Sequence, residues 1–246
     1  ILDTFDQKYL NESLKEDPHA LDDFTGFTCF GNTTGSMIPT RYALASLLTG
    51  NSLRESDAVF SKEVIQKWYS QHNVIDDIQA RGYQIDLYTS DIYDSIGALS
   101  HKAENIRVLK PNINPAEAVG VLLKCSLYRF MPWLAKPPFW FYTDEINDKV
   151  MVRGPIELAN RAWNTDDAIY YDQLKKKGLS VKDIGEAGSY RVLHFTGAHY
   201  PYTMNRQGKR VKGEVSQTEQ CLGSLMITSE YLNQLKQLGV YDNATI

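Results

Sequence analysis

Gly82-Tyr83-Gln84-Ile85-Asp86-Leu87-Tyr88-Thr89 is the stretch that decides the fold class of this chain. Upstream, residues 59–81 carry apolar side chains at helical spacing (Val64, Trp68, Val74, Ile75, Ile78), and Gly82 follows where a helix C-cap belongs. Residues 85–89 then read as a buried strand. Helix, glycine, strand is the order of a doubly wound α/β sheet.

Working outward, Ile1-Leu2 running into Asp3 reads as the tail of a buried strand. Residues 13–23 are polar and predict a helix, 24–30 alternate enough to predict a strand, and 31–39 form a Thr/Gly/Ser-rich loop. The loop delivers the chain to an apolar helix at 41–48 that stops at Gly50. Residues 115–128 predict a helix with Pro115 near its start, and 156–177 predict another. A strand follows at 190–195, then a long amphipathic helix at 214–238 through Leu222, Leu225, Ile227, Tyr231, Leu232 and Leu235, stopped by Gly239. Residues 239–246 read as a turn leading into another strand.

Residues 129–142, Arg-Phe-Met-Pro-Trp-Leu-Ala-Lys-Pro-Pro-Phe-Trp-Phe-Tyr, are irregular and unusually aromatic. A loop packed on the core is the plain reading. A wall for an amphiphilic substrate, or a surface near lipid headgroups where Trp and Tyr are favoured, is the sharper one.

The 246 residues suffice for one α/β domain with a sizeable core, and a single domain over 1–246 is expected. With 26 basic against 30 acidic side chains the net charge is -4, which gives no electrostatic reason to expect a nucleic-acid partner. Cys29, Cys125 and Cys221 are odd in number and widely spaced, so they read as isolated thiols and not as a disulfide framework or a zinc site. No run of about 18 apolar residues is present. Both ends look cut, and the chain reads as a piece of a longer protein.

Three segments hold residues suited to chemistry. Asp3 lies where a strand ends, the place where open α/β sheets gather ligands, and a carboxylate there is a hard oxygen donor for a divalent cation. Its plain alternative is an Asp that caps a helix. Thr40 follows Pro39 at the mouth of the apolar helix, where backbone N–H groups and the helix dipole favour an anion. A Thr in that place also serves as a helix N-cap; as a nucleophile it would need activation, which a metal ion on Asp3 could supply. Thr33, Thr34 and Ser36 are competing hydroxyls in the same loop. His199 sits in a Gly-Ala-His-Tyr-Pro turn after a strand, placed to donate to a non-bridging ester oxygen. His194 reads as a core or supporting residue, and His19, His72 and His101 lie in polar surroundings.

Taken together these segments resemble the sulfatase-like branch of the alkaline phosphatase superfamily, and more closely its membrane-anchored members of the lipoteichoic acid synthase and phosphoglycerol transferase type. Leu2-Asp3-Thr4 resembles the family's first metal-ligand strand, residues 82–89 its Gly-Tyr strand, 194–202 its His-Pro-Tyr substrate loop, and 231–246 its closing helix and strand. Counting back from the Leu47-Leu48-Thr49-Gly50 turn places Thr40 at the family's nucleophile position, followed by Arg41. Neither Cys nor Ser stands there to become formylglycine. The family's Asp-His metal ligands follow the strand that begins at Thr245, past the last residue of this sequence.

The resemblance implies an alkaline phosphatase-like α/β domain, partial, that transfers or hydrolyses a phosphoester. Thr40 would be the catalytic nucleophile, Asp3 and Thr40 would hold a divalent metal (Mn, Mg or Zn; Ca in a sulfatase), and His199 and Arg41 would bind substrate. It further implies a phospholipid-headgroup or cell-envelope glycan substrate, and a location on the outer face of the bacterial cytoplasmic membrane, anchored by a segment this sequence lacks. The alternatives are a sulfatase, and a non-catalytic relative that keeps the fold without the metal site.

Overall fold

The computed structural model describes residues 1–35, 37–52, 61–89, 92, 95–106, 114–141, 166–181 and 187–246. The chain divides into a larger unit, Ile1–Arg107 with Ala162–Ile246, and a smaller one, Val108–Arg161. In chain order the elements are α1 (Gln7–Glu16), α2 (Thr40–Thr49), α3 (Lys62–Ser70), α4 (Val74–Ala80), β1 (Gln84–Tyr88), α5 (Ile96–Leu99), α6 (Pro115–Phe130), α7 (Asp167–Lys177), β2 (Ser189–Leu193) and α8 (Gln217–Gln237).

In the larger unit β1 and β2 pair in parallel, with Gln84 opposite Ser189 and Tyr88 opposite Leu193. The first residues run along the end of β2. The Ile1 amino group donates to the Leu193 carbonyl at 2.8 Å, Phe195 N–H to the Ile1 carbonyl at 3.0 Å, and Asp3 N–H to the Phe195 carbonyl at 3.1 Å. Leu2 thus bridges Phe195 in parallel, where the sequence predicts a strand tail. The Asn105 side chain both donates to and accepts from the Leu87 backbone at 2.9 Å, pairing backbone groups that a strand edge would leave open.

Alternation along the strands separates two cores. Ile85, Leu87 and Val192 join Leu44 and Leu48 of α2, Trp68 and Tyr69 of α3, and Ile75 of α4. Leu193, half-buried, and Phe195 belong with Tyr171, Met204 and Ile227. Each cluster draws on a different set of helices, so parallel strands with helix-built cores on two sides make this unit α/β.

Several expected elements shift. The helix expected at 13–23 forms earlier, as α1, because Asp6 caps it by accepting from Tyr9 N–H at 2.9 Å and Pro18 disfavours helical backbone at Asp17. The strand expected at 24–30 is absent: Phe24 and Phe27 close successive turns and their rings meet edge to face at 5.5 Å. The single helix expected at 59–81 is two, because Asn73 opens α4 with a capping box to Asp76; residues 59 and 60 lie outside the described residues. Gly82, at φ 85, follows the Arg81 cap of α4 in the left-handed conformation that ends helices.

The helix expected from 156 is seen from Asp167, and 156–165 lie outside the described residues. α8 begins at Gln217 behind a Ser216 cap, and its first half is buried on several sides (Gln220, Cys221, Leu222, Ser224, Leu225), a fuller burial than an amphipathic surface helix would show. At the end of the chain Tyr241–Asn243 form a 3-10 turn, and 244–246 carry no strand. In the smaller unit Asn114 caps α6, accepting from Ala116 and Glu117 N–H groups, and the helix runs two residues past its expected end. Among the described residues no helix is long and apolar enough to cross a membrane.

Candidate functional site

Thr40 is the first helical residue of α2, and the N-cap position belongs to Pro39, whose backbone is extended. The alternative reading of Thr40 as a helix N-cap does not hold: no side chain caps α2, and the Thr40 hydroxyl donates to Asp3. Its Oγ1 lies 3.1 Å from Asp3 Oδ1 and 3.3 Å from Oδ2, across 37 residues of sequence. Asp3 caps no helix either, since Asp6 takes that role for α1. The neighbouring Thr4 sits at φ 55, a conformation that β-branched residues avoid.

The backbone of Asp3 also holds the turn that carries His199. Ala198 N–H donates to the Asp3 carbonyl at 2.9 Å, and Asp3 N–H donates to Phe195. On its other side the turn is fixed by polar side chains from two helices. The buried Asp167 carboxylate, at the head of α7, accepts from Thr196 N–H at 2.9 Å and Gly197 N–H at 3.0 Å. Burial pushes its pKa up, and those two N–H groups pull it partly back. From α8, Gln220 Nε2 and Ser224 Oγ both donate to the Gly197 carbonyl, at 3.0 and 3.2 Å, while Gln220 Oε1 accepts from Met204 N–H at 2.9 Å.

The His199 ring is exposed, and its Nδ1 lies 2.6 Å from the Tyr200 carbonyl. A carbonyl only accepts, so Nδ1 carries the proton and Nε2 faces a ligand with a lone pair when the ring is neutral. A ring held this way can donate from Nε2 once protonated, or ligate a metal from Nε2 while neutral. His194 is buried at the carboxyl end of β2, 2.8 Å from Thr89 Oγ1 beyond β1, in the core position expected of it. The Arg41 guanidinium lies over the Tyr42 ring, 5.0 Å from its centroid. Thr33 and Thr34 are exposed; Ser36 lies outside the described residues.

The structure thus joins Asp3, Thr40 and the turn of His199, while Arg41 packs against Tyr42. Sequence reasoning missed Asp167, Gln220 and Ser224. The last two are four residues apart, one turn of α8, and that spacing of polar side chains inside an apolar stretch was their signal.

A divalent cation of the kind the resemblance implies takes oxygen ligands, and the Asp3 carboxylate and Thr40 hydroxyl fit it in chemistry as two donors. Among the described residues no three of His, Cys, Asp and Glu gather closely enough to hold a metal ion. Comparison with protein-family models, with curated proteins and with solved structures found no match.

Proposed function

We propose that this chain is the catalytic part of an alkaline phosphatase-like enzyme that transfers or hydrolyses a phosphoester through Thr40. The hydrogen bond from Thr40 Oγ1 to the Asp3 carboxylate, at the N-terminus of α2, carries this reading.

Thr40 Oγ1 would attack phosphorus and form an Oγ1–P bond as the P–O bond to the leaving alkoxide breaks. The Thr40 proton passes to Asp3 and from there to the leaving oxygen. An acceptor hydroxyl, or water, then gives its proton to Asp3 and attacks phosphorus; the Oγ1–P bond breaks, and that proton passes from Asp3 to Thr40 Oγ1, restoring Thr40. The dipole at the start of α2 would favour the added charge, and His199 Nε2, once protonated, would donate to a phosphoryl oxygen. A divalent cation on Asp3 and Thr40 would, when bound, supply charge neutralisation. Its remaining ligands would come from outside the described residues.

The favoured substrate is a phospholipid headgroup or a cell-envelope glycan, handled on the outer face of the bacterial cytoplasmic membrane. Chain order supports the reading: strand-end carboxylate, helix-mouth hydroxyl and loop histidine come in the sequence the resemblance requires.

The test is mass spectrometry of the full protein after incubation with Mn and phosphatidylglycerol. A phosphoryl-linked adduct on the peptide bearing Thr40, lost in Thr40→Ala together with turnover, is expected. Turnover that survives Thr40→Ala, or an adduct on Ser36, would overturn the assignment.

A further inference from the structure

α6 presents its apolar residues to solvent. Val119, Leu122, Leu123 and Phe130 recur at intervals that bring them onto one helix face, and all four are exposed. Trp133 and Leu134, in the 3-10 turn that follows, extend the apolar surface at 82% and 90% exposure. A different face of α6 is occupied within the unit. Tyr128 meets Trp140 and Phe141 edge to face at 5.4 and 5.9 Å, and the Lys136 ammonium lies 5.5 Å from the Tyr128 ring centroid.

Charge identifies what covers the exposed face. Residues 114–141 hold Lys124, Arg129 and Lys136 against the single acid Glu117, in a chain whose net charge is -4. The Arg129 guanidinium lies 5.7 Å from the Phe130 ring, so a cation borders the apolar stripe. A second copy docked face to face about a two-fold axis would bring Arg129, the cation bordering the stripe, toward its own counterpart. A bilayer with anionic headgroups meets both properties at once: it takes up protruding Trp, Leu and Phe side chains and attracts Arg129 at the edge of their face.

We propose that α6 and the turn after it form a docking surface for anionic phospholipid, through which this chain itself lies against a membrane. The surface rests on the smaller unit alone and stands or falls independently of the chemistry at Thr40.

The test is flotation of the protein with vesicles of equal parts phosphatidylglycerol and phosphatidylcholine, and with phosphatidylcholine alone. Partition onto the anionic vesicles, weakened by about 0.5 M salt, is expected. The double variant Trp133→Glu/Leu134→Glu should lower that partition at least about tenfold, with an unchanged far-UV circular dichroism spectrum because both side chains stand in solvent. Arg129→Gln, which leaves the apolar face intact, should lower it about fivefold at low salt. No flotation with anionic vesicles, or equal flotation of the double variant, would overturn the proposal. So would a concentration-dependent dimer in sedimentation that the double variant abolishes, because the face would then belong to a second copy.

Discussion

The backbone of Asp3 occupies the space that a side chain at Gly197 would need: a Cβ there would lie 2.5 Å from the Asp3 carbonyl oxygen and 2.6 Å from its nitrogen. Gly197 also sits at φ 62, in the left-handed region. The close approach ties the His199 turn to the residue whose carboxylate receives the Thr40 hydroxyl.

Gly197→Ala should therefore both destabilise the fold and displace Asp3. The left-handed backbone alone costs about 1–2 kcal/mol, and the steric overlap adds to it. Gly213→Ala is the matched control, since Gly213 has φ 93 and nothing within 4 Å of an added Cβ. Urea unfolding of both variants measures the difference. Equal losses would mean that the Asp3 backbone moves aside without cost.

His199→Gln should lower turnover roughly a hundred- to thousandfold if the ring donates to a phosphoryl oxygen. Metal content should stay the same. Measuring both on one preparation separates the roles that the Nδ1 bond to Tyr200 leaves open: unchanged turnover makes His199 structural, and lost metal makes it a ligand.

Asp76 gives acid sensitivity with a defined sign. Burial raises its pKa, but the Lys102 ammonium at 2.7 Å and the Asn73 N–H outweigh that, so the net shift is downward from 3.8. A depressed carboxylate adds stability above its unfolded value, and that stability is lost as pH falls through the folded value, below 3.8. Lys102→Met should cost about 1 kcal/mol near neutral pH, with the gap to the parent closing in strong acid. Urea midpoints across that range test this, and a gap independent of pH would assign the loss to packing of the Lys102 stem.

The cysteines should differ in reactivity. Burial pushes the Cys221 thiol up to about 11, whereas Cys29 is exposed. Native protein treated with iodoacetamide should be labelled at Cys29 and spared at Cys221 until it is unfolded. Labelling of Cys221 at the rate of Cys29 would show that α8 opens readily.

Local signals were enough for what is local. The strand at β1, the proline-led start of α6 and the glycine stops follow from spacing and from backbone preferences that need no distant partner. The order of Asp3, Thr40 and His199 was also legible, because it is a property of the line of residues. Caps are legible in the sequence as well: Asp6 sets the start of α1 ahead of the polar stretch at 13–23, and Asn73 starts α4 inside the apolar spacing of 59–81. The predicted strand at 24–30 failed because alternation cannot supply the neighbouring strand that hydrogen bonding requires.

Only the tertiary structure decided that the Thr40 hydroxyl serves Asp3 and not its own helix, since that depends on two segments 37 residues apart meeting within 3.1 Å. The same holds for Asp167, Gln220 and Ser224, polar residues whose part in holding the His199 turn exists only once α7 and α8 pack beside it. It holds too for the outward face of α6. Composition records that residues 114–141 are apolar and cationic, but which side meets solvent depends on what the chain folds against.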